Sequence, residues 1–290
     1  MPNDALIPPD VSSVVHPGLW LVATPIGNLD DMSPRAAAVL RAADVVCCED
    51  TRHSGSLLKR IGATPQRLIV VNDHTEFDAI DEIASLVSAG GTVALITDAG
   101  TPGISDPGER VVAELAARGL PVWAVPGPAA FVVAATISGL PAARIAFDGF
   151  LPRNGAERRE RLTEVARERR TSVLYEAPHR LVETVNDLHA ACGGVRRIAI
   201  VRELTKMHEQ VWRGTLDDAV AHVTAVEPRG EYAIVIEPNA VSQAEVTDHE
   251  IVTALAQRTA AGLSTRDAVD EVTSAFGLPR KRVYNLAVTK

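Results

Sequence analysis

Five short runs, rich in apolar residues and each ending in a turn of glycine, proline or polar residues, constrain this chain more than any other feature. They are Leu19–Ala23, Asp44–Cys48, Leu68–Val71, Val93–Ile96 and Val122–Val125, and helical segments alternate with them. Val93–Ile96 is apolar throughout instead of alternating, as a parallel strand covered on both faces is. The alternation predicts a parallel sheet with right-handed crossovers, so the five strand ends should share one edge. We expect one α/β domain over residues 18–147. Residues 1–17, which carry Pro2, Pro8, Pro9 and Pro17 and no Lys or Arg, read as a flexible N-terminal tail.

The densest turn is Asp98-Ala99-Gly100-Thr101-Pro102-Gly103-Ile104-Ser105-Asp106-Pro107-Gly108. It follows a strand, at the place where open α/β sheets hold ligands. Its glycines let backbone approach a bound molecule closely, and Pro102 stiffens the path. Asp106 and Pro107 read as N-cap and first residue of a helix over Glu109–Arg118. One Gly-Pro pair would mean only a tight turn; this density points to a site. The first turn, Thr24–Asp30, precedes a helix capped by Ser33 and opened by Pro34, with Ala36, Val39, Leu40 and Ala43 facing inward. The others are Glu49-Asp50-Thr51-Arg52-His53, Asn72-Asp73-His74-Thr75-Glu76 and Pro126-Gly127-Pro128-Ala129-Ala130. None carries Gly-x-Gly-x-x-Gly or Gly-x-x-x-x-Gly-Lys, which disfavours a simple NAD or ATP enzyme. His53 and His74 lack a third clustered His or Cys, so they read as hydrogen-bonding loop histidines and no metal site is expected.

Hydrophobic content of 46% supplies a sizeable core for 290 residues. No run reaches the ~18 apolar residues of a membrane span. No basic segment followed by an apolar core opens the chain, so no secretory signal is expected. Cys47 and Cys48 share a strand and point to opposite faces, which with Cys192 suits buried thiols in a reduced, cytoplasmic setting. The net charge of -8 argues against a broadly basic nucleic-acid binder, though not against a local basic patch.

Phe147–Arg153 breaks the repeating pattern and reads as the link to a second α/β domain over 148–240 with a mixed sheet. The helix Ala156–Arg170 carries Arg158, Arg159, Arg161, Arg167, Arg169 and Arg170 against four glutamates. Helically spaced ion pairs on a solvated face explain most of it. With Arg153 the segment is nevertheless net positive, the best phosphate-facing candidate in the chain. Strands over Ser172–Tyr175, Ile198–Val201 and Tyr232–Ile236 follow. A small helical domain over 246–290 has segments Asp248–Ala261, Ser264–Phe276 and Arg280–Val288. Its spacing and Arg280-Lys281-Arg282 fit either nucleic-acid contact or a three-helix cap.

The turns Thr24–Leu29, Glu49–His53, Asp98–Pro102 and Pro126–Pro128 are followed in order by Gly149–Pro152, Tyr175–Arg180 and Arg202–Lys206. Over about Leu19 to Glu237 this series closely resembles the small-subunit (16S) ribosomal RNA cytidine 2′-O-ribose methyltransferase family of the tetrapyrrole methylase superfamily. The resemblance implies a two-domain tetrapyrrole-methylase-like α/β fold with an appended helical domain. It also implies S-adenosyl-L-methionine (AdoMet) in the cleft, a homodimer, and a cytidine of the decoding region in 16S rRNA of the 30S subunit as target. By resemblance, Pro25 lines the methionine end, and Asp98, Ala99 and Gly100 form the floor with Ile104 nearby. Pro128, Ala129 and Ala130 flank the cofactor, while Tyr175, Leu204, Gly230 and Glu231 close over the adenine. Gly103 stands where a larger residue can occur in the family.

A ribose hydroxyl is a weak acid, so methylating it gains from a carboxylate, lysine or histidine that takes the proton. Among the strand-end residues the first candidates are Asp50, Arg52 and His53, with Arg52 gripping a phosphate or ordering Asp50. Lys206 is the second choice. A structural Arg52 ion pair with Glu49 or Asp50 is the competing explanation. Competing functions are methylation of a porphyrin or corrin ring, and a non-catalytic ribosome-binding factor that retains the pocket.

Overall fold

Alternate residues of the first five strands enter opposite cores, which is why those strands read as unbroken apolar runs. Leu19, Val45, Cys47, Val93 and Leu95 enter one core; Trp20, Val46, Cys48, Ala94 and Ile96 enter the other. The computed structural model describes residues 15–72, 74–239, 247–276 and 278–288. Asp73 and residues 1–14 of the proline-rich lead-in lie outside them. Two compact units divide the chain, Met1–Asn239 and Ala240–Lys290.

In the first unit β1 (Gly18–Val22), β2 (Val45–Cys48), β3 (Arg67–Val70), β4 (Thr92–Leu95) and β5 (Val122–Val125) form a sheet in the order β3-β2-β4-β1-β5. Every pairing in it is parallel. Helices α1 (Pro34–Ala42) and α2 (Thr51–Arg60) pack on one face, α3 (Glu76–Ser88) and α4 (Glu109–Ala117) on the other. Ser33 Oγ accepts the Ala36 N–H and Pro34 opens α1, as the sequence predicts.

The start of α4 differs from expectation. Gly108, with φ +130°, is its N-cap, and Asp106 lies in the preceding loop. The helix is capped from a distance instead. Oε1 of Glu76, a buried residue of α3, accepts N–H bonds from Gly108 (2.9 Å), Arg110 (3.1 Å) and Val111 (3.4 Å). A carboxyl group at a helix N-terminus satisfies orphan donors and complements the dipole.

After α5 (Ala130–Ile137) a second sheet begins earlier than expected. The segment read as a link is largely its first strand, β6 (Ile145–Phe150), with a bulge between Phe147 and Gly149. Gly149 adopts φ +61°, and a Cβ there would lie 2.8 Å from Ser105 Oγ. The sheet continues with β7 (Thr171–Glu176), β8 (Arg197–Arg202), β9 (Gln210–Thr215) and β10 (Tyr232–Ile236), in the order β6-β7-β10-β8-β9. Only β6–β7 is parallel, so the sheet is mixed. Helices α6 (Gly155–Arg167), α7 (Leu181–Cys192) and α8 (Leu216–Ala225) cover one face. The other face packs on α5, Ile26 and Leu204. That leaves the carboxyl ends of the first sheet facing the second sheet.

The basic stretch around α6 divides into two sets. Arg158 is buried, bonded to Asp187, Thr184 and the Pro152 carbonyl. Arg161 reaches Asp148 and Glu164, and Arg170 pairs with Glu168. Arg153, Arg159, Arg167 and Arg169 are exposed.

The second unit contains α9 (Asp248–Ala260), α10 (Thr265–Phe276) and α11 (Arg280–Val288) around Ile251, Leu255, Val269, Val272, Leu278 and Val283. Thr247 and Glu250 form a capping box that starts α9. Arg280 pairs with Asp270 and Arg282 with Asp248, so two of the three basic residues serve the helical unit itself. Among the described residues no helix is long and apolar enough to cross a membrane.

Because Glu76 caps a helix 32 to 35 residues away, Glu76→Ala should cost about 2–3 kcal/mol in urea denaturation. Glu76→Gln should recover part of that. A loss below about 0.5 kcal/mol would show that water replaces the cap.

Candidate active site

Three loops at the carboxyl edge of the first sheet are tied together by main-chain hydrogen bonds. Thr24 N donates to Gly100 O (2.8 Å) and Gly100 N to Thr24 O (3.1 Å), joining the loops after β1 and β4. Thr101 Oγ1 donates to Pro128 O (2.9 Å), joining the loop after β5. Gly100 takes φ +89°, a conformation that favours glycine. Strand order reverses among β4, β1 and β5, which is where a doubly wound sheet opens a crevice.

The second sheet roofs that crevice and leaves a cavity of about 300 Å³. From below it is lined by Ile26, Ala99, Gly100, Thr101, Ile104, Ser105, Asp106, Ala129 and Ala130. From above come Phe150, Tyr175, Glu176, Ala177, Pro178, Val201, Leu204, Glu231, Tyr232 and Ala233. Tyr175 locks roof to floor: its hydroxyl accepts the Phe131 N–H at the start of α5 (2.9 Å). Phe147 stands edge-on to Tyr175 and stacks on Phe131, with centroids 4.9 and 4.5 Å apart. Burial pushes the Tyr175 phenol up to about 12, so it stays neutral.

Of the residues singled out in the sequence, Ala99, Gly100, Ile104, Ala129, Ala130, Tyr175, Leu204 and Glu231 line this cavity. Pro25, Asp98, Pro128 and Gly230 each adjoin a lining residue in sequence. The lining also includes residues the sequence reading passed over. Ser105 and Asp106 belong to the densest turn, where local sequence reads Asp106 as a helix N-cap. Phe150 lies in the segment that reads as a link. Val201 and Ala233 are legible only through strand alternation, since both face α5 rather than the outer helices.

Asp98 Oδ1 is buried and has no hydrogen-bond partner, and neither does Thr97 Oγ1. Such an atom costs stability unless a ligand or water reaches it, and Asp98 directly precedes Ala99 of the cavity floor. Asp98 and Asp50 both act on Cys48, whose thiol is raised chiefly by burial and lowered by Ser54.

The proposed catalytic residues lie outside the cavity lining. Asp50 caps α2 through the Arg52 N–H (2.8 Å), and Arg52 Nη2 returns to Asp50 Oδ2 at 3.0 Å. The Arg52 side chain is 91% exposed. Its hydrogen bonds hold the Asp50 carboxyl down at about 2. His53 is exposed in the first turn of α2. On the roof, Lys206 Nζ bridges Glu203 Oε1 (3.0 Å) and Glu231 Oε2 (2.9 Å). Burial works against its charge, but the Glu231 and Glu203 carboxylates outweigh it and hold Lys206 above the ordinary lysine value. Thr205, at φ +63°, accepts the Asn28 N–H (3.0 Å) on its hydroxyl. A Cβ on Gly27 would come within 2.9 Å of that hydroxyl. This glycine therefore permits the close approach of the β1 and β8 loops.

The geometry defines a two-lobed α/β protein with a small-ligand cleft between a parallel and a mixed sheet. Residues 18–220 match the family Tetrapyrrole (Corrin/Porphyrin) Methylases, and residues 245–290 match the RsmI C-terminal HTH domain. "Ribosomal RNA small subunit methyltransferase I" of Synechocystis sp. is 41% identical over 93% of this chain and 97% of its own length. The Mycobacterium tuberculosis protein of that name is 43% identical over 92% and 93%. Among solved structures the methyltransferase CobJ superposes with a TM-score of 0.59 at 18% identity, covering 77% of this chain and 95% of its own. Uroporphyrin-III C-methyl transferase from Thermus thermophilus, complexed with S-adenyl homocysteine, gives 0.54 at 20% identity, covering 76% and 97%. The chain belongs to the tetrapyrrole methylase family and, within it, to the ribosomal RNA small subunit methyltransferase I group.

An orphaned acceptor makes a stability prediction. Asp98→Ala should leave the ligand-free protein equally stable or raise its Tm, because the uncompensated oxygen is removed. A clear fall in Tm would mean that Asp98 has a structural partner.

Proposed function

We propose that this chain transfers the methyl group of AdoMet to the ribose 2′-hydroxyl of a cytidine in the decoding region of small-subunit rRNA. It acts on the 30S subunit, as a cytoplasmic homodimer. The observation that carries the reading is the cavity between the sheets. It is mostly apolar, near the lower end of the ~300–1,000 Å³ usual for small-ligand pockets. Carboxyl groups of Asp98, Asp106 and Glu231 stand at or beside its margin. That set of acceptors suits a flat adenine joined to a cationic, amine-bearing tail. The relatives' name favours RNA over a porphyrin or corrin.

AdoMet, when bound, supplies an electrophilic methyl group on a sulfonium. The protein's part is alignment. Gly100, Ala99 and the Ala129–Ala130 backbone form the floor, with Pro25, Pro128 and Ile104 bounding it. Tyr175, Leu204 and Gly230–Glu231 hold the roof and exclude water. Asp50 fixes Arg52, whose exposed guanidinium takes an RNA phosphate. Held at about 2, the Asp50 carboxyl is a weak base and serves as an orienting group. Lys206, kept protonated by its two carboxylates, contributes a cation. We assign the hydroxyl proton to His53, exposed in the first turn of α2. Arg153, Arg159, Arg167 and Arg169 give an acidic chain a local surface for RNA backbone. Helix α5, Ala130–Ile137, has no charged residue and exposes Val132, which suits burial against a second copy.

Labelled methyl transfer to methyl-deficient 30S subunits, naked rRNA and uroporphyrinogen separates the readings; acceptance of the particle alone is expected. Rejection of the particle with methylation of uroporphyrinogen would overturn the proposal. Asp50→Ala and Arg52→Ala should each lower kcat/KM for the particle by about 10–100-fold, with AdoMet Kd unchanged. Asp98→Ala should instead weaken AdoMet binding in calorimetry. The depressed Asp50 value, about 2, means its contact with Arg52 is complete at neutral pH and lost only as pH falls from its unfolded value toward 2. The pH–rate profile should therefore show no limb from Asp50 above about pH 4.

A further inference from the structure

On the opposite face of the second sheet, at the same end as the first cavity, lies a second hollow of about 460 Å³. Ile200, Arg202 and Tyr232 from adjacent strands β8 and β10 border it, with Gln210 and Trp212 of β9 and His222 of α8. Strand alternation explains the pairing of the two cavities. Val201 and Ala233 point to the first, while Ile200 and Arg202 point to the second. Tyr232 borders both.

The hollow joins an apolar wall, formed by Leu181, Ile200, Val223, Val226 and Pro228, to flat groups with fixed polar edges. The Trp212 and His222 rings stack at 4.8 Å with 10° between their planes. Burial lowers the His222 imidazole below its ordinary value, so it is neutral at pH 7. The Arg202 guanidinium is held by the Arg229 carbonyl (2.8 Å) and Gln210 Oε1 (3.4 Å). The Tyr232 hydroxyl accepts the Arg229 N–H (3.2 Å). An aliphatic segment would leave Arg202, Gln210 and His222 without use. A ring bearing several carboxylates would need more cations than Arg202. A neutral, planar heterocycle with donors and acceptors around its rim matches both the faces and the edges, and unpaired RNA bases are held by aromatic rings and arginine planes in this way.

We propose that this hollow binds an unpaired nucleobase of the substrate RNA, close along the strand to the methylated nucleotide. The proposal rests on the rRNA reading above. The shared Tyr232 wall makes the two sites neighbours, so a seated base would set which nucleotide reaches the first cavity.

The full chain carrying Trp20→Phe and Trp123→Phe keeps Trp212 as its one tryptophan, since the sequence has three. Short single-stranded oligonucleotides and free CMP or AMP should quench its fluorescence; an abasic oligonucleotide of equal length should not. His222→Ala and Gln210→Ala should raise KM for methyl-deficient small subunits about tenfold or more. kcat and AdoMet Kd should hold, and His222→Tyr, which keeps a ring, should retain most of the affinity. Equal quenching by the abasic strand, or an unchanged KM in both alanine variants, would overturn the base site. So would loss of dimer mass in His222→Ala without a KM change, which would assign the hollow to a second copy. If no RNA is methylated at all, the rRNA reading fails, and the fluorescence titration still decides whether a base enters the hollow.

Discussion

The two main-chain hydrogen bonds between Thr24 and Gly100 carry the site. They fasten the loop after β1 to the loop after β4, two neighbouring strands whose ends would otherwise diverge. The Thr101 hydroxyl extends the tie to Pro128, so three loops form one surface made largely of backbone. Only a residue tolerant of positive φ fits at Gly100, and a Cβ there would already touch Ile26 at 3.5 Å. A floor built in this way needs no glycine-rich phosphate fingerprint. It presents peptide edges and small side chains to a ligand held chiefly by shape.

The same tie explains why the first lobe was legible in the sequence. Its central strands β2, β4 and β1 are buried on both faces, and all five runs are visible as apolar sequence bounded by turn chemistry. The second lobe was harder for identifiable reasons. β6 is interrupted by the Asp148–Gly149 bulge, so its alternation breaks where a strand should read most clearly. β9, with sequence QVWRGT, is an edge strand with no fully buried residue, which removes the apolar run that would have announced it. Asp106 is a case different in kind. Local rules favour it as an N-cap, but Glu76 supplies the cap through tertiary packing, and no short-range pattern encodes that contact. Site residues brought by loops were readable as motifs. Those brought by strand parity, such as Val201 and Ala233, required the register.

Electrostatics reconciles an acidic chain with an anionic substrate. Many arginines are spent internally: Arg158 under α6, Arg161 on Asp148, Arg280 and Arg282 within the helical unit. The net charge of -8 therefore says little about any one face. In the cavity walls stand the carboxylates of Asp106, Glu176 and Glu231, with Arg180 beside Glu176 and Lys206 beside Glu231. A cationic methyl donor gains from that environment, while a polyanion does not. Cofactor and RNA are thus expected to approach from surfaces of opposite character, the donor enclosed between lobes and the phosphates at exposed arginines.

That division has a consequence for the roof. Glu231 and Lys206 form an ion pair at the rim, and Thr205 anchors the same loop to Asn28 on the floor. The loop from Glu203 to Lys206 contains two residues at positive φ, Glu203 and Thr205, a conformation that ordinary side chains adopt at a cost. The carboxyl group of Glu203 offsets that cost by bonding both Lys206 and the Glu231 N–H. Leu204, between the two strained residues, is thereby pressed into the cavity wall beside Ile26. A substitution that releases Glu203 would free Leu204 first, and with it the contact through which roof and floor close on one molecule.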